Sequence, residues 1–221
     1  MIIVHHLNDS RSQRVLWMLE ELGLPYEVKR YQRDTQTMLA PPELREIHPL
    51  GKSPVIEDGG VKVAETGAIV EYLLETYGAG RLRPAAGTED GRRFTYWLHY
   101  AEGSAMTPLL LKLIFGQIPK RAPFLVRPVA KGISETMNKR MIDPSIASHV
   151  RFWEAELTKS EWFAGPDFSA ADIMMSFPVE AAASRGGLVA GLPRLDAFLT
   201  RVHARPAYQR ALERGGPYAY A

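Results

Sequence analysis

The hydrophobic period of the chain changes once, near residue 80, and does not change back. Before that point the elements are short and alternate in type. "MIIVHH" reads as a strand, and "RSQRVLWMLEELG" as a helix with Val15, Leu16, Leu19 and Leu22 on one face and Gly23 as its stop. "YEVKRY" alternates as a strand does. "PPELREIH" gives a short helical turn, "PVIED" and "VKVAE" two strands joined through "GG", and "TGAIVEYLLETYG" a second amphipathic helix with its own terminal glycine. A β-α-β unit followed by a hairpin and a helix folds as a small α/β sandwich. "GAGRLRPAAGTEDG", residues 78–91, carries no period and is rich in Gly, Pro and Ala, which marks a domain boundary.

Beyond the boundary no segment reads as a strand. "TEDGRRFTYWLHYAEGSAMTPLLLKLIF" and "VRPVAKGISETMNKRMIDPSIASHVRFWEAELTKS" read as long helices, separated by the proline-bearing "GQIPKRAPFLVRP". Shorter helices follow at "SAADIMMSFPVEAAASR", "LPRLDAFLTRVHAR" and "PAYQRALERG". The expected organisation is therefore an α/β domain over residues 1–80 and an all-α domain over residues 90–221.

Composition removes several classes of function. With 46% hydrophobic and 24% charged residues the chain has the balance of a soluble protein. No apolar run approaches the roughly 20 residues of a membrane span, since "PLLLKLIF" is interrupted by Lys112. The N-terminus has no export signal, which makes the cytoplasm the default location. A formal charge of +2 from 27 basic and 25 acidic residues, well mixed, offers no basic stripe for a nucleic acid. Zero cysteines leave no disulfide, thiolate nucleophile or Cys-based metal site. His5 and His6, adjacent in a strand, point to opposite faces, so they do not share a metal. A small ligand or a protein partner remains.

Three stretches have the chemistry to hold a small ligand. After the first strand, Asn8, Asp9, Ser10, Arg11 and Ser12 form a polar turn at the mouth of a helix. Asp9 or Ser10 can cap that helix, and the same N–H groups can receive an anion. In "HPLGKSP", Pro54 opens a strand. A cis bond before it would turn the N–H and C=O of Ser53 toward an extended ligand. Glu65-Thr66 begins the second long helix, where Thr66 can act as N-cap. There a carboxylate could meet the helix N–H groups and an ammonium Glu65, while Lys52 could meet a second carboxylate.

Together, "S-x-x-x-R" after the first strand, "HPLGKSP" before the third and "ET" at the following helix resemble the glutathione transferase family in order and spacing. "FSAADI" resembles the family's N-capping box, with Ser169 as cap, Asp172 at the third helical position and Phe168 against Ile173 as staple. "SRSQRVLWMLEEL", "PPELREIHPLGKSPVI" and "YAEGSAMTPLLL" are most similar to a fungal and bacterial branch. The resemblance implies a thioredoxin-like α/β N-terminal domain with a cis proline, an all-α C-terminal helical domain, and a homodimer. It also implies glutathione as co-substrate, with no cofactor or metal.

By the same resemblance, Lys52, Ser53, Pro54, Glu65 and Thr66 would bind glutathione. A hydroxyl or thiol after the first strand would activate its sulfur. Cys is absent and no Tyr lies between residues 1 and 25, so serine is the natural donor. Ser10, four residues before Arg14, is preferred to Ser12, which is expected half a turn inside the helix; Asn8 is a rival donor. Asp9 beside a thiolate would be unhelpful unless it turns away or Arg11 offsets it. The implied reaction is attack of the thiolate on an apolar electrophile, with peroxidase activity as a variant. The rival reading is a non-catalytic ligand- or protein-binding relative. Tyr100, Met106 and Leu109, with Trp97 and Leu113, could line the electrophile pocket, although helix-spaced aromatics and Leu more often form core.

Overall fold

The structure is a computed structural model that describes residues 1–184 and 189–220. Four strands, β1 (Ile2–Leu7), β2 (Tyr26–Tyr31), β3 (Val55–Asp58) and β4 (Val61–Ala64), form one sheet in the order β2-β1-β3-β4. β2 runs parallel to β1, as the crossover through helix α1 (Ser12–Leu22) requires; β3 and β4 are antiparallel to their neighbours. The hairpin turns on Gly59 and Gly60, both at positive φ, the geometry that a two-residue loop demands and that only glycine adopts freely. Gly23 ends α1 in the left-handed conformation, its N–H returning to the carbonyls of Glu20 and Leu19. Val15, Leu16, Leu19 and Leu22 are buried, as their spacing predicts. Short α2 (Leu44–Ile47) and α3 (Thr66–Tyr77) complete this part.

The remaining helices are α4 (Glu89–Tyr100), α5 (Met106–Arg121), α6 (Arg127–Met137), α7 (Asp143–Lys159), α8 (Ala170–Ser184), α9 (Pro193–His203) and α10 (Pro206–Gly215). Among the described residues no strand follows β4, and no helix is long and apolar enough to cross a membrane. Residues 185–188 are outside the described residues, so the expected helical end at Arg185 is not described.

Several boundaries differ from those the sequence suggests. The two long helical segments are each interrupted by a single π turn, Ala101–Ala105 and Asn138–Ile142. Helix α5 runs on through Pro119 to Arg121, where a separator was expected. Pro119 removes the bond to the Phe115 carbonyl and crowds it, but less than one turn of helix follows, so the disturbance is confined to the end of α5. Thr66 is the first residue of α3 rather than its cap; Glu65 occupies the boundary without a side-chain cap bond. Gly78 ends α3 at φ −67°, so its conformation is ordinary. It is needed for closeness instead, because a Cβ there would lie 2.4 Å from the Leu74 carbonyl oxygen.

The N-capping segment forms with altered bonding. Asp172 accepts the N–H and hydroxyl of Ser169 at 2.9 and 3.0 Å and the N–H of Phe163 at 2.8 Å. The Ser169 hydroxyl thus donates to the carboxylate instead of accepting from the helix. Phe168 packs between Trp17, Trp162 and the Arg205 guanidinium.

The second part returns to the first at its end. Helix α10 lies along α1 and reaches β2. Arg205 forks onto Glu21 at 2.6 and 2.9 Å, Arg210 meets Glu20 at 2.7 Å, and Arg214 donates to the Tyr26 carbonyl at 2.6 Å. One hydrophobic core accordingly runs through both parts, from Val4 and Leu16 to Phe163 and Tyr208.

Candidate active site

The register of the sheet assembles the residues singled out above. Val55 pairs with Ala64 and with His5, so Pro54 and Glu65 lie side by side one step beyond, at the end of β1 where the polar turn begins. The Ser53–Pro54 peptide bond is cis. Ser53 is tied to β1: its hydroxyl donates to the His5 carbonyl at 2.7 Å and accepts the Leu7 N–H at 3.2 Å. Glu65 has φ 71°, in the left-handed region that a side chain rarely occupies, and such strain gathers at binding sites. Thr66 is buried, while Lys52 and Glu65 are exposed. Among the described residues neither Lys52 nor Glu65 has an ion-pair partner.

Ser10 and Ser12 are both buried and 2.7 Å apart, oxygen to oxygen. Ser12 is the first residue of α1, not half a turn inside it, and the residue before it, Arg11, offers no side-chain cap. Ser10 partly fills that role by accepting the Ser12 N–H at 3.2 Å. The inward side of Ser12 faces His6, whose Nδ1 is 2.9 Å from its hydroxyl. The side chain of Asn8 is held by its neighbours: its Oδ1 accepts the Arg33 backbone N–H at 2.8 Å and its Nδ2 donates to Asp9 at 3.2 Å. His5 faces the opposite side of the sheet, between Tyr31 and Glu57.

The charge on Asp9 turns away from this pair of serines. Its Oδ1 accepts the N–H of Ala219 at 2.9 Å, and its Oδ2 the amide of Asn8 at 3.2 Å. The C-terminal residues that meet it are anchored on α8, where Tyr218 donates to buried Glu180 at 2.8 Å and the Tyr220 ring lies 5.3 Å from Phe177. Arg11 does not offset Asp9. It pairs with Glu102 of the first π turn at 3.2 Å.

Glu102 also receives the Nη2 of Arg14, and Arg14 Nη1 donates to the Met174 carbonyl at 2.8 Å. Arg14 therefore reaches from α1 to both α8 and the π turn. Burial opposes charge on Glu102, but the two guanidinium groups outweigh it and hold the carboxyl below its usual range. The sequence marked Arg14 through its spacing from Ser10; nothing local pointed to Glu102 or to the tail.

Tyr100, Met106 and Leu109 are buried. Tyr100 packs against Trp97 and Phe152, and its hydroxyl meets His149 and Trp153. Leu110, Leu113 and Ile114, by contrast, form an exposed apolar face of α5.

Comparison with known proteins gives one consistent answer. Residues 1–75 match the family model "Glutathione S-transferase, N-terminal domain". Glutathione S-transferase 3 of Schizosaccharomyces pombe is 34% identical over 182 residues, covering 82% of this chain and 74% of that protein. Glutathione S-transferase 1 of Saccharomyces cerevisiae is 30% identical over 223 residues, 97% of this chain and 95% of that one. A solved glutathione S-transferase from Actinobacillus pleuropneumoniae, 31% identical, superposes with a TM-score of 0.76 over 99% of this chain and 94% of its own. The architecture, a thioredoxin-like domain followed by an all-α domain, is shared with that structure.

Proposed function

The chain belongs to the glutathione S-transferase family, and from that premise we propose that it activates the thiol of glutathione at Ser10 and transfers it to an apolar electrophile. The observation that carries the reading is the meeting, at one end of the sheet, of three features. These are a cis-proline strand end, a strained Glu65 at a helix start, and a buried hydroxyl on the adjoining turn. In this reading residues 1–80 hold glutathione and residues 90–221 supply the electrophile side. Ser53 presents its backbone to the cysteinyl portion, Glu65 and Thr66 hold the γ-glutamyl head, and Lys52 takes the glycine carboxylate. A free thiol has a pKa near ~8.5, so lowering it is the main service of the site. A charge-assisted hydrogen bond from Ser10 contributes about 1.5–3 kcal/mol, or roughly one to two pKa units, and the first turn of α1 adds its dipole.

A hydroperoxide could replace the electrophile with the same thiolate, giving peroxidase activity. Assembly as a homodimer belongs to the same proposal, as does a cytoplasmic setting, where glutathione is kept reduced. The rival is a glutathione-binding protein without turnover. Retention on immobilised glutathione followed by conjugation of chlorodinitrobenzene separates them: retention with turnover supports the transferase, retention without turnover across several electrophiles favours the binder, and no retention removes both.

A further inference from the structure

Behind the proposed donor lies a group that thiol activation by Ser10 alone leaves unused. His6 is 4% exposed on the face of β1 toward α1. From its Nδ1 a chain of contacts runs 2.9 Å to Ser12 Oγ and 2.7 Å onward to Ser10 Oγ, all of it buried. On the other side the Gly215 backbone stands near the ring and favours its protonated form. Gly215 lies close against this group, since a Cβ there would lie 2.4 Å from Gln13 Oε1 and 3.4 Å from the His6 ring. Burial is the main cause that pushes His6 down to about 4, and Arg30 on β2 adds to it. The Gly215 backbone and Asp9 oppose the shift without reversing it. The ring is therefore neutral at working pH, with one proton to place.

Counting protons fixes the direction of the chain. A hydroxyl has one proton and two lone pairs, and a neutral imidazole one donor and one acceptor nitrogen. In the Nε2–H tautomer, Nδ1 accepts from Ser12. That uses the only proton of Ser12, so Ser10 must donate inward to Ser12. Ser12 Oγ also accepts the Leu7 N–H at 3.3 Å, and its proton can go to the Leu7 carbonyl at 3.2 Å in place of Nδ1; in either case it is not given to Ser10, so Ser10 still donates inward. Ser10 then meets a ligand as an acceptor. That suits a neutral S–H and is the wrong polarity for a thiolate. The opposite direction, Nδ1–H to Ser12, Ser12 to Ser10 and Ser10 to sulfur, keeps the same three protons.

Resting on the glutathione reading, we propose that His6 is a positioning residue for thiol activation, acting through Ser12 to turn the Ser10 hydroxyl from acceptor to donor when the thiolate forms. The thiol gives its proton to solvent, the ring proton changes from Nε2 to Nδ1, and the two hydroxyl protons rotate outward. The neutral donation of Ser10 to Ser12 is exchanged for a charge-assisted bond to sulfur, which is roughly twice as strong, so an anion at the sulfur position drives the reversal.

The test is nitrogen NMR of the His6 ring in the intact protein. Glutathione sulfonate serves as the ligand with an anion at the sulfur position, and S-methylglutathione as its neutral counterpart. The Nε2–H tautomer is expected in the free protein and with S-methylglutathione, and Nδ1–H with the sulfonate. Ser12→Ala should abolish that change. In the pH profile of kcat/KM, His6→Leu should move the thiol ionisation about one unit to alkaline, and His6→Asn, whose amide can donate or accept near the Nδ1 position, should restore it. One tautomer in all three states, or a parental profile for His6→Leu, overturns the proposal. If His6→Leu does not fold, the tautomer measurement decides alone. Failure of both ligands to bind removes the glutathione reading and the proposal with it, whereas binding without a tautomer change sinks the proposal only.

Discussion

Removing Glu102 should cost far more stability than an ordinary surface acid, because of what it leaves behind. Arg14 is 1% exposed, and its Nε already lacks a hydrogen-bond partner. In Glu102→Ala the guanidinium keeps only the Met174 carbonyl at 2.8 Å and the face of the Phe177 ring at 5.2 Å. Breaking a buried pair from one side costs about 3–5 kcal/mol, since the surviving charge is stranded. The Glu102 side chain is itself 29% exposed, so water can enter the vacated space, and the lower end, about 3 kcal/mol, applies. Arg11, the second partner, is 37% exposed, and Arg11→Ala should cost no more than about 1 kcal/mol. Urea unfolding followed by circular dichroism reads both as midpoint shifts at constant slope. In a thermal scan the larger loss corresponds to roughly 6–12 °C. The double variant Arg14→Met with Glu102→Leu should lose less than the two single changes summed, because neither charge is then stranded. Equal costs for Glu102→Ala and Arg11→Ala would refute the reasoning.

Ser10→Ala should move the alkaline rise of kcat/KM upward by roughly one to two pKa units with little change in glutathione affinity; an unchanged profile would place the donor elsewhere. Glu65→Ala should weaken glutathione binding in calorimetry by at least about 2 kcal/mol, and parental affinity would remove Glu65 from the site. Two buried groups give opposite pH slopes to stability. Burial raises Asp172 to about 6, so the folded state binds the extra proton and stability falls as pH rises through that value. His6, lowered to about 4, binds its proton more weakly when folded, so stability falls as pH drops from about 6.5 toward 4. Each contribution is on the order of 3 kcal/mol, so His6→Asn should unmask one slope between pH 4 and 6 and Asp172→Asn the other; melts of both variants with the same slope would contradict this.

Much of the first domain was legible because its signals are local. The apolar face of α1, the glycine that stops it and the glycine pair between β3 and β4 act within a few residues of the structure they dictate. The same holds for "FSAADI", where Ser169 and Asp172 meet across one helical turn. Boundaries were less legible wherever packing overrode a local preference. Helix α5 passes through Pro119, and two π turns let long helices continue across residues that sequence alone cannot phase.

The candidate site divides along the same line. The sequence by itself determined which residue types gather at the end of the sheet, since strand register places Pro54 beside Glu65 and both next to the turn after β1. It could not determine where the polar side chains of that turn point. Asp9 faces Ala219, 210 positions away, and Arg14 bonds to Met174, 160 positions away. Ser12 meets His6, six residues away, where α1 packs on β1. The directions of Asp9 and Arg14 are chosen by partners that only the closed tertiary structure brings within hydrogen-bonding distance. A buried polar group must find such a partner or forfeit its hydration, and that requirement, absent from any local window of sequence, set the geometry around Ser10.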